Sequence, residues 1–157
     1  MNGEGEVAVG ESRHEKALRF EQLAAPLGKQ VYYTCFGLMN NREDAEDCAQ
    51  ETMLRAYRAL DSFRGEAQFS TWIYKIAVRV CMDALRKRRP TVSLDLLSES
   101  GWDVPDGAAE LFEQLEKGER RRLLRSAVAQ LPAEFRAPQV LVDLQGLSYE
   151  EAATVLE

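Results

Sequence analysis

Residues 41–63 constrain the fold of this chain more than any other segment, because their apolar side chains recur at helical spacing. On a wheel of about 100° per residue these side chains fall on a single arc. Asn41 is the predicted N-cap, and acidic residues in the first turn suit the positive end of the helix dipole. Such a helix must bury its apolar arc against other helices. The arc consists of Ala45, Cys48, Ala49, Thr52, Met53, Ala56, Ala59, Leu60 and Phe63.

The same periodicity extends along the rest of the chain, so the predicted fold class is all-α. Pro26 ends the first helix and Pro90 ends the fourth, because a proline disfavours helical conformation in the residue before it. Ser70 or Thr71 is the predicted cap of the fourth helix. The predicted helices cover residues 13–25, 27–39, 41–63, 71–89, 118–130 and 133–145, with a last helix from Ser148.

Charge is sorted along the chain and indicates its domain organisation. Residues 41–55 carry a net charge of −3, residues 64–90 carry +5, and residues 91–119 carry −7. Glycines and prolines also interrupt the last of these blocks, which is typical of a linker. We therefore predict a disordered tail over 1–12, a helical domain over 13–90, an acidic linker over 91–117 with a short helix near 108–115, and a partial helical domain over 118–157.

Composition excludes several classes of protein. The overall charge of −6 argues against binding nucleic acid over the whole surface, although a local basic face remains possible. The chain has one histidine and three irregularly spaced cysteines, so we expect no disulfide framework, no metal site and no cofactor. It has no phosphate-cradling glycine loop and no nucleophile with a positioned base, so we expect no enzymatic activity. With no apolar run long enough for a membrane span or a secretory signal, the predicted location is cytoplasmic.

The polar side of the helix at 41–63 carries one isolated apolar residue, Leu54, surrounded by charged and amide side chains. One interpretation is a solvated face with a stray leucine, which is common on protein surfaces. The other is a protein-docking face with Leu54 as its anchor and the charges turned toward a basic partner helix. The surrounding residues are Glu43, Asp44, Asp47, Gln50, Glu51 and Arg58.

The fourth helix has a second face of different chemistry. Lysine and arginine neutralise phosphates and an indole stacks on unpaired bases, so a basic strip beside Trp72 suits single-stranded or opened DNA. Alternatively, Trp72 packs at the helix start above a solvated basic strip, and the basic run at 86–89 complements the helix dipole. The strip contains Lys75, Arg79 and Arg86 with Asp83 as its one acid, and the apolar arc opposite is widened by Tyr74, Val78, Met82 and Leu85.

Four stretches together resemble bacterial RNA polymerase sigma factors of the extracytoplasmic-function (ECF) type in order, spacing and residue type. They are residues 44–52 (DAEDCAQET), 63–65 (FRG), 69–77 (FSTWIYKIA) and 83–86 (DALR). A distal pair, 131–136 (LPAEFR) and 146–153 (GLSYEEAA), resembles the start of that family's C-terminal domain. The resemblance implies a region 2 type helical bundle, an acidic linker and a region 4 type helix-turn-helix domain that is incomplete, because the chain ends at Glu157 before a recognition helix.

The resemblance also implies partners. The helix at 41–63 would bind the clamp coiled coil of the largest subunit of core RNA polymerase. The loop at 63–69 and the fourth helix would recognise and melt the minus-ten element of promoter DNA. An anti-sigma factor would cover these same faces. The polymerase-binding candidates are Asp47, Gln50, Glu51, Leu54 and Arg58, and the DNA-binding candidates are Phe63, Arg64, Gln68, Ser70, Thr71, Trp72, Lys75, Ile76, Arg79 and Arg86.

The predicted function is thus a transcription initiation factor without chemistry of its own. The alternative is a shortened sigma paralogue that docks on polymerase or an anti-sigma factor but does not open DNA. Arg79 departs from the family, which often has asparagine there, so the preferred base stays open. The apolar face of residues 140–156 would lack its full cover without further helices, so we expect that segment to be mobile or covered by a partner.

Overall fold

The structure is a computed structural model, and it describes residues 11–88 and 117–157. All elements within these two ranges are helical, which confirms the predicted all-α class. The predicted linker, with its short helix near 108–115, lies almost wholly outside the described residues. The helices are α1 (Arg13–Ala24), α2 (Gly28–Met39), α3 (Arg42–Ala59), α4 (Phe69–Arg88), α5 (Lys117–Gln130), α6 (Ala133–Gln139) and α7 (Tyr149–Leu156), with 3₁₀ turns at Ala25–Leu27 and Leu60–Ser62 and a π-helical turn at Val140–Leu144.

The turn between α2 and α3 uses the two consecutive asparagines for different purposes. Asn40 ends α2 in the left-handed conformation, with φ of 52°, which asparagine tolerates better than most side chains. Asn41 is extended, and its side-chain oxygen accepts a hydrogen bond from the backbone N–H of Asp44 at 3.0 Å. The predicted cap at Asn41 is therefore confirmed, and after the turn α3 packs against α2.

Helices α2, α3 and α4 pack pairwise around one core. Leu38 of α2 and Ile73 of α4 are fully buried, as is Leu60, which follows α3. Three thiols also lie in this core, because each of these helices contributes one cysteine to its inner face. We call Cys35, Cys48 and Cys81 the cysteine cluster, and all three are buried free thiols.

The last two helices pack against the same bundle. We call residues 133–156 the C-terminal segment; its α7 lies on α4, and its α6 and π-helical turn lie on α2. The expectation that this segment lacks cover is wrong for its inner side, because α2 and α4 supply the missing surface. Only the outer side stays exposed, including Leu144 and Leu156. The covered residues are Ala137, Val140, Leu141, Ala152 and Val155.

Two predicted boundaries need correction. Ser12, assigned to the tail, is the N-cap of α1 in a reciprocal capping box with Glu15. Helix α4 begins at Phe69 rather than after Ser70 or Thr71, because Phe69 is buried in the aromatic core and the N–H of Trp72 already bonds to the carbonyl of Gln68 at 3.1 Å. Ser148 caps α7 as predicted, with Glu151 completing the box. None of the described helices has the length and apolar character needed to cross a membrane.

Candidate functional site

The polar side of α3 is exposed, with Leu54 at its centre. Half of the Leu54 surface (52%) is accessible, and Asp47, Gln50 and Arg58 are also exposed. Glu51 is half-buried, because its carboxylate accepts a hydrogen bond from Arg55 Nε at 2.6 Å. We call Asp47, Gln50, Glu51, Leu54 and Arg58 the docking face; the structure brings all five onto one side of one helix.

A shallow apolar groove runs beside Leu54, and sequence reasoning missed it. Residues of α3 form one wall, and Phe20 of α1 closes the other. The ring of Phe20 is held by edge-to-face contact with Tyr57, at a centroid distance of 5.5 Å. The docking face therefore combines an exposed leucine with a recess next to it. Its lining is Phe20, Gly28, Ala49, Gln50, Met53, Leu54 and Tyr57.

Three aromatic rings meet where the loop before α4 joins that helix. The centroids of Phe63, Phe69 and Trp72 are 5.3 Å apart in every pair. Phe69 is buried, whereas Phe63 and Trp72 are half-buried and keep part of their rings at the surface. Trp72 thus packs on its neighbours, as the second interpretation above expects, and part of its surface stays accessible.

The basic side chains of α4 differ in their exposure and in their contacts within the chain. Arg79 is exposed. Lys75 is half-buried, and its ammonium donates a hydrogen bond to the carbonyl of Thr154 at 3.3 Å. Arg86 is exposed and pairs with Asp83 at 2.5 Å. We call Trp72, Lys75, Arg79 and Arg86 the basic-aromatic face of α4.

The remaining DNA-binding candidates divide by exposure. Arg64 and Gln68 are exposed, and Ile76 is half-buried. Ser70 is half-buried and donates a long hydrogen bond to Gln68 Oε1 at 3.5 Å. Thr71 must be corrected: it is buried (7% exposed), because α4 starts earlier than predicted and turns this position inward.

Two ionic bridges join α3 to α4. At one end Arg88 makes a bidentate pair with Asp44, and this hydrogen-bonded guanidinium holds the pKa of the Asp44 carboxyl below its usual range. Nearer the C-terminal end of α3, Arg55 lies 3.7 Å from Asp83 of α4 and also pairs with Glu51. The sequence pattern predicts Asp44 on the outward acidic side of α3, but its carboxylate pairs with Arg88 of α4.

The thiol pKa values of the cysteine cluster are shifted by burial and by contact between the thiols. The hydrogen bond between Cys35 and Cys81 raises the pKa of Cys81 and lowers that of Cys35, while burial raises the pKa of Cys48. Within 11–88 and 117–157 no group of cysteine, histidine and carboxylate side chains is arranged to hold a metal ion.

Comparison with known proteins gives a consistent result. The model of Sigma-70 region 2 matches residues 23–91, which include α2, α3 and α4. The RNA polymerase sigma-H factor of Pseudomonas aeruginosa is 36% identical over 134 residues, covering 76% of this chain and 65% of that protein. The ECF RNA polymerase sigma-E factors of Salmonella typhimurium and Escherichia coli K12 are each 35% identical over 120 residues, covering 73% of this chain and 63% of theirs. The chain thus spans just under two thirds of the length of these curated relatives.

Proposed function

Since this chain belongs to the sigma factors of the extracytoplasmic-function type, we propose that it is a transcription initiation factor that binds core RNA polymerase and recognises and melts the minus-ten element of promoters. The observation that carries the proposal is the pairing of two exposed faces on adjacent helices. One is anionic around a leucine, and the other is cationic around an aromatic ring. The two helices that carry these faces share a core and are joined by two ionic bridges.

The docking face has the properties of a protein interface rather than of a solvated strip. An exposed anchor beside an apolar recess can bury a hot-spot contact, while the surrounding charges orient a basic partner. We assign its partner as the clamp coiled coil of the largest polymerase subunit. Leu54 would enter the partner surface, and Asp47 and Gln50 would bond to it around that contact.

The basic-aromatic face has the chemistry that opened DNA requires. Flipping a base out of a duplex costs a few kcal/mol, which stacking and phosphate contacts must offset. Trp72 and Phe63 would supply the ring surface, with Ile76 beside them and Arg79 at the phosphates or the base edge. Arg64 and Gln68 extend the same exposed surface along the loop. Arg79 presents only donors, so it would favour a base or phosphate with acceptor atoms.

The polymerase half of the proposal is tested by Leu54→Ala. Removing a central anchor should weaken binding to core polymerase by about 2 kcal/mol or more, roughly 30-fold, measured by fluorescence anisotropy of the labelled chain. Leu18→Ala is the matched control, because Leu18 has a similar exposure (47%) but lies on α1. Equal affinities for both variants and the wild-type chain would refute docking through this face.

The DNA half is tested by Arg79→Ala. Promoter melting by polymerase with this variant, followed by permanganate reactivity of unpaired thymines, should fall while polymerase affinity stays unchanged. Lys29→Ala is the control, because it removes one exposed positive charge from α2. The template for both variants is a promoter library.

The second candidate, a shortened paralogue that only binds proteins, is supported by one observation: Lys75 of the basic-aromatic face is engaged within the chain. The two functions predict the same result for Leu54→Ala and different results for Arg79→Ala. Polymerase binding without melting, by the wild-type chain on the whole library, would favour the paralogue. An anti-sigma protein covering both faces remains our proposed regulator under either function.

A further inference from the structure

We propose that the cysteine cluster is an oxidation site, at which a hydroperoxide converts Cys35 and Cys81 into a disulfide that joins α2 to α4. The three thiols come from three helices that pack pairwise, so the folded bundle brings them together. Cys35 and Cys81 are fully buried, and Cys48 is 5% exposed. This inference is independent of the proposed function, because it concerns the shared core and neither of the exposed faces.

Cys81 is the central thiol of the cluster. It is hydrogen-bonded both to Cys35 and to Cys48, so each of these two contacts includes Cys81. The S–S bond of a disulfide is about 2.0 Å long, and two thiols already in contact reach it by side-chain movement. A disulfide that forms through the contacts of the folded core should therefore contain Cys81.

Cys35 and Cys81 take different parts in the reaction. The hydrogen bond from Cys81 lowers the pKa of Cys35, which favours the thiolate that attacks a peroxide. When this thiolate attacks hydrogen peroxide, an S–O bond forms and the O–O bond breaks, and the hydroxide leaves as water with the thiol proton of Cys35. Cys35 is then a sulfenic acid.

Cys81 completes the reaction with its own proton, which it retains because the hydrogen bond and burial raise its pKa. Its sulfur attacks the sulfenic sulfur of Cys35, so that the S–S bond forms and the S–O bond breaks. The departing hydroxide takes the Cys81 proton and leaves as a second water. The peroxide is thereby reduced by two electrons, and each sulfur is oxidised by one.

Burial determines when the first step can occur. Hydrogen peroxide must reach Cys35, which is fully buried, so the sulfenic acid forms while the bundle is locally open. When the bundle closes again, Cys35 returns to its contact with Cys81, and the effective concentration of the second thiol becomes high. Opening therefore sets the rate, and closing selects the partner.

An unfolded chain would select a different partner. Cys48 lies 13 residues after Cys35, whereas Cys81 lies 46 residues after it. Because the entropic cost of closing a loop grows with its length, an unfolded chain favours Cys35–Cys48 over Cys35–Cys81 by about sevenfold. The identity of the disulfide thus distinguishes a site in the folded core from oxidation of unfolded chains.

The disulfide should stabilise the folded chain. A cross-link constrains the unfolded chain, which typically lowers the unfolded population by about 30- to 900-fold. The oxidised chain should therefore be digested more slowly by a protease than the reduced chain, and dithiothreitol should reverse this difference. The folded chain would persist longer in the presence of hydroperoxide.

The test is oxidation of the full chain by hydrogen peroxide, in native buffer and in concentrated urea, followed by peptide mapping with mass spectrometry. We expect mainly Cys35–Cys81 in buffer and mainly Cys35–Cys48 in urea. Cys48→Ala removes one buried thiol but leaves the proposed pair, so it should still form the disulfide in buffer. Cys81→Ala is its matched control, because it removes the central thiol and should leave both other thiols reduced in buffer. The pairing in the wild-type chain decides the result even where a variant does not fold.

The outcomes against the proposal are distinct. Mainly Cys35–Cys48 in native buffer, or thiols oxidised further without any disulfide, would overturn the site. Thiols that stay reduced over many openings of the bundle, as timed by amide hydrogen exchange, would overturn it as well. A disulfide between Cys48 and Cys81 would overturn the part assigned to Cys35, and equal proteolysis of oxidised and reduced chains would overturn the stabilisation. None of these measurements includes polymerase or DNA, so failure of the proposed function would be seen separately.

Discussion

Replacement of Trp72 tests packing and the proposed DNA contact separately, because the ring packs on its neighbours and stays partly exposed. Its centroid lies 5.3 Å from those of Phe63 and Phe69. Each aromatic pair contributes about 0.5–1.5 kcal/mol beyond burial, so the loss of two pairs in Trp72→Ala should lower the free energy of unfolding by about 1–3 kcal/mol. Since small domains unfold with about 5–15 kcal/mol, the variant stays more than about nine-tenths folded at 25 °C.

The loss of promoter melting should be much larger than that small unfolded fraction explains. Stacking of one base on an aromatic ring contributes about 1–3 kcal/mol, equivalent to a roughly 5- to 150-fold loss of melting in Trp72→Ala. Urea unfolding followed by circular dichroism gives the stability, and 2-aminopurine fluorescence in the minus-ten element gives the melting. Trp72→Phe should keep most of both quantities, because a ring remains.

Phe69→Leu is the control for this experiment, because Phe69 belongs to the same ring cluster but is buried (9% exposed). It should lower stability through lost packing and leave melting close to that of the wild-type chain. If Trp72→Ala reduces melting no more than Phe69→Leu at equal loss of stability, Trp72 is a packing residue only. The stacking role assigned to the basic-aromatic face would then be refuted.

Three further predictions concern the bundle itself. Leu60→Ala should lower the free energy of unfolding by about 2–5 kcal/mol in urea titration, because Leu60 is fully buried and leaves a cavity. Because the pKa of Asp44 is lowered, its pair with Arg88 stabilises the fold above the ordinary aspartate pKa, and this stabilisation is lost as the pH falls toward the lowered value. Asp44→Asn should therefore reduce the decrease in the free energy of unfolding at acid pH, whereas the control Glu43→Gln should leave that decrease unchanged. The cysteine cluster should react with a thiol reagent only at the rate of unfolding, since its three members are at most 5% exposed; fast labelling of the native chain would contradict this core.

Local signals in the sequence are sufficient to predict that the helices form and where two of them begin. Asn41 and Ser148 cap helices where predicted, because capping depends on a few adjacent residues. Helix α4 begins earlier than predicted, because its start depends on the burial of Phe69 among rings that are distant in the sequence. The groove beside Leu54 was also missed, because its far wall comes from α1 and no periodicity within α3 indicates it.

One feature of the sequence indicates that a second surface, which is the C-terminal segment in the structure, covers α4 in addition to the bundle. The apolar arc of α4 was too wide for a single buried side, and its extra members Tyr74 and Val78 are indeed buried. A helix with such a widened arc is covered from two directions, in the same way that a helix apolar all round is buried. The surface that covers α4 and α2 cannot be identified from the sequence, because it depends on the close approach of Val140 to Gly37 of α2, which only the tertiary structure reveals.

The acids of α3 show why a motif does not translate residue by residue into an interface. Asp44 binds Arg88, Glu46 binds Arg42 and Glu51 binds Arg55, so three carboxylates of the 44–51 stretch already have partners within the chain. A charge that is paired within the chain must exchange that partner to gain another, which reduces its net contribution to binding. Leu54 has no such competing contact, because it is apolar and half exposed. Affinity for a partner should therefore depend more on Leu54 and its groove than on Glu51, whereas the carboxylates chiefly set the orientation of the helix that carries them.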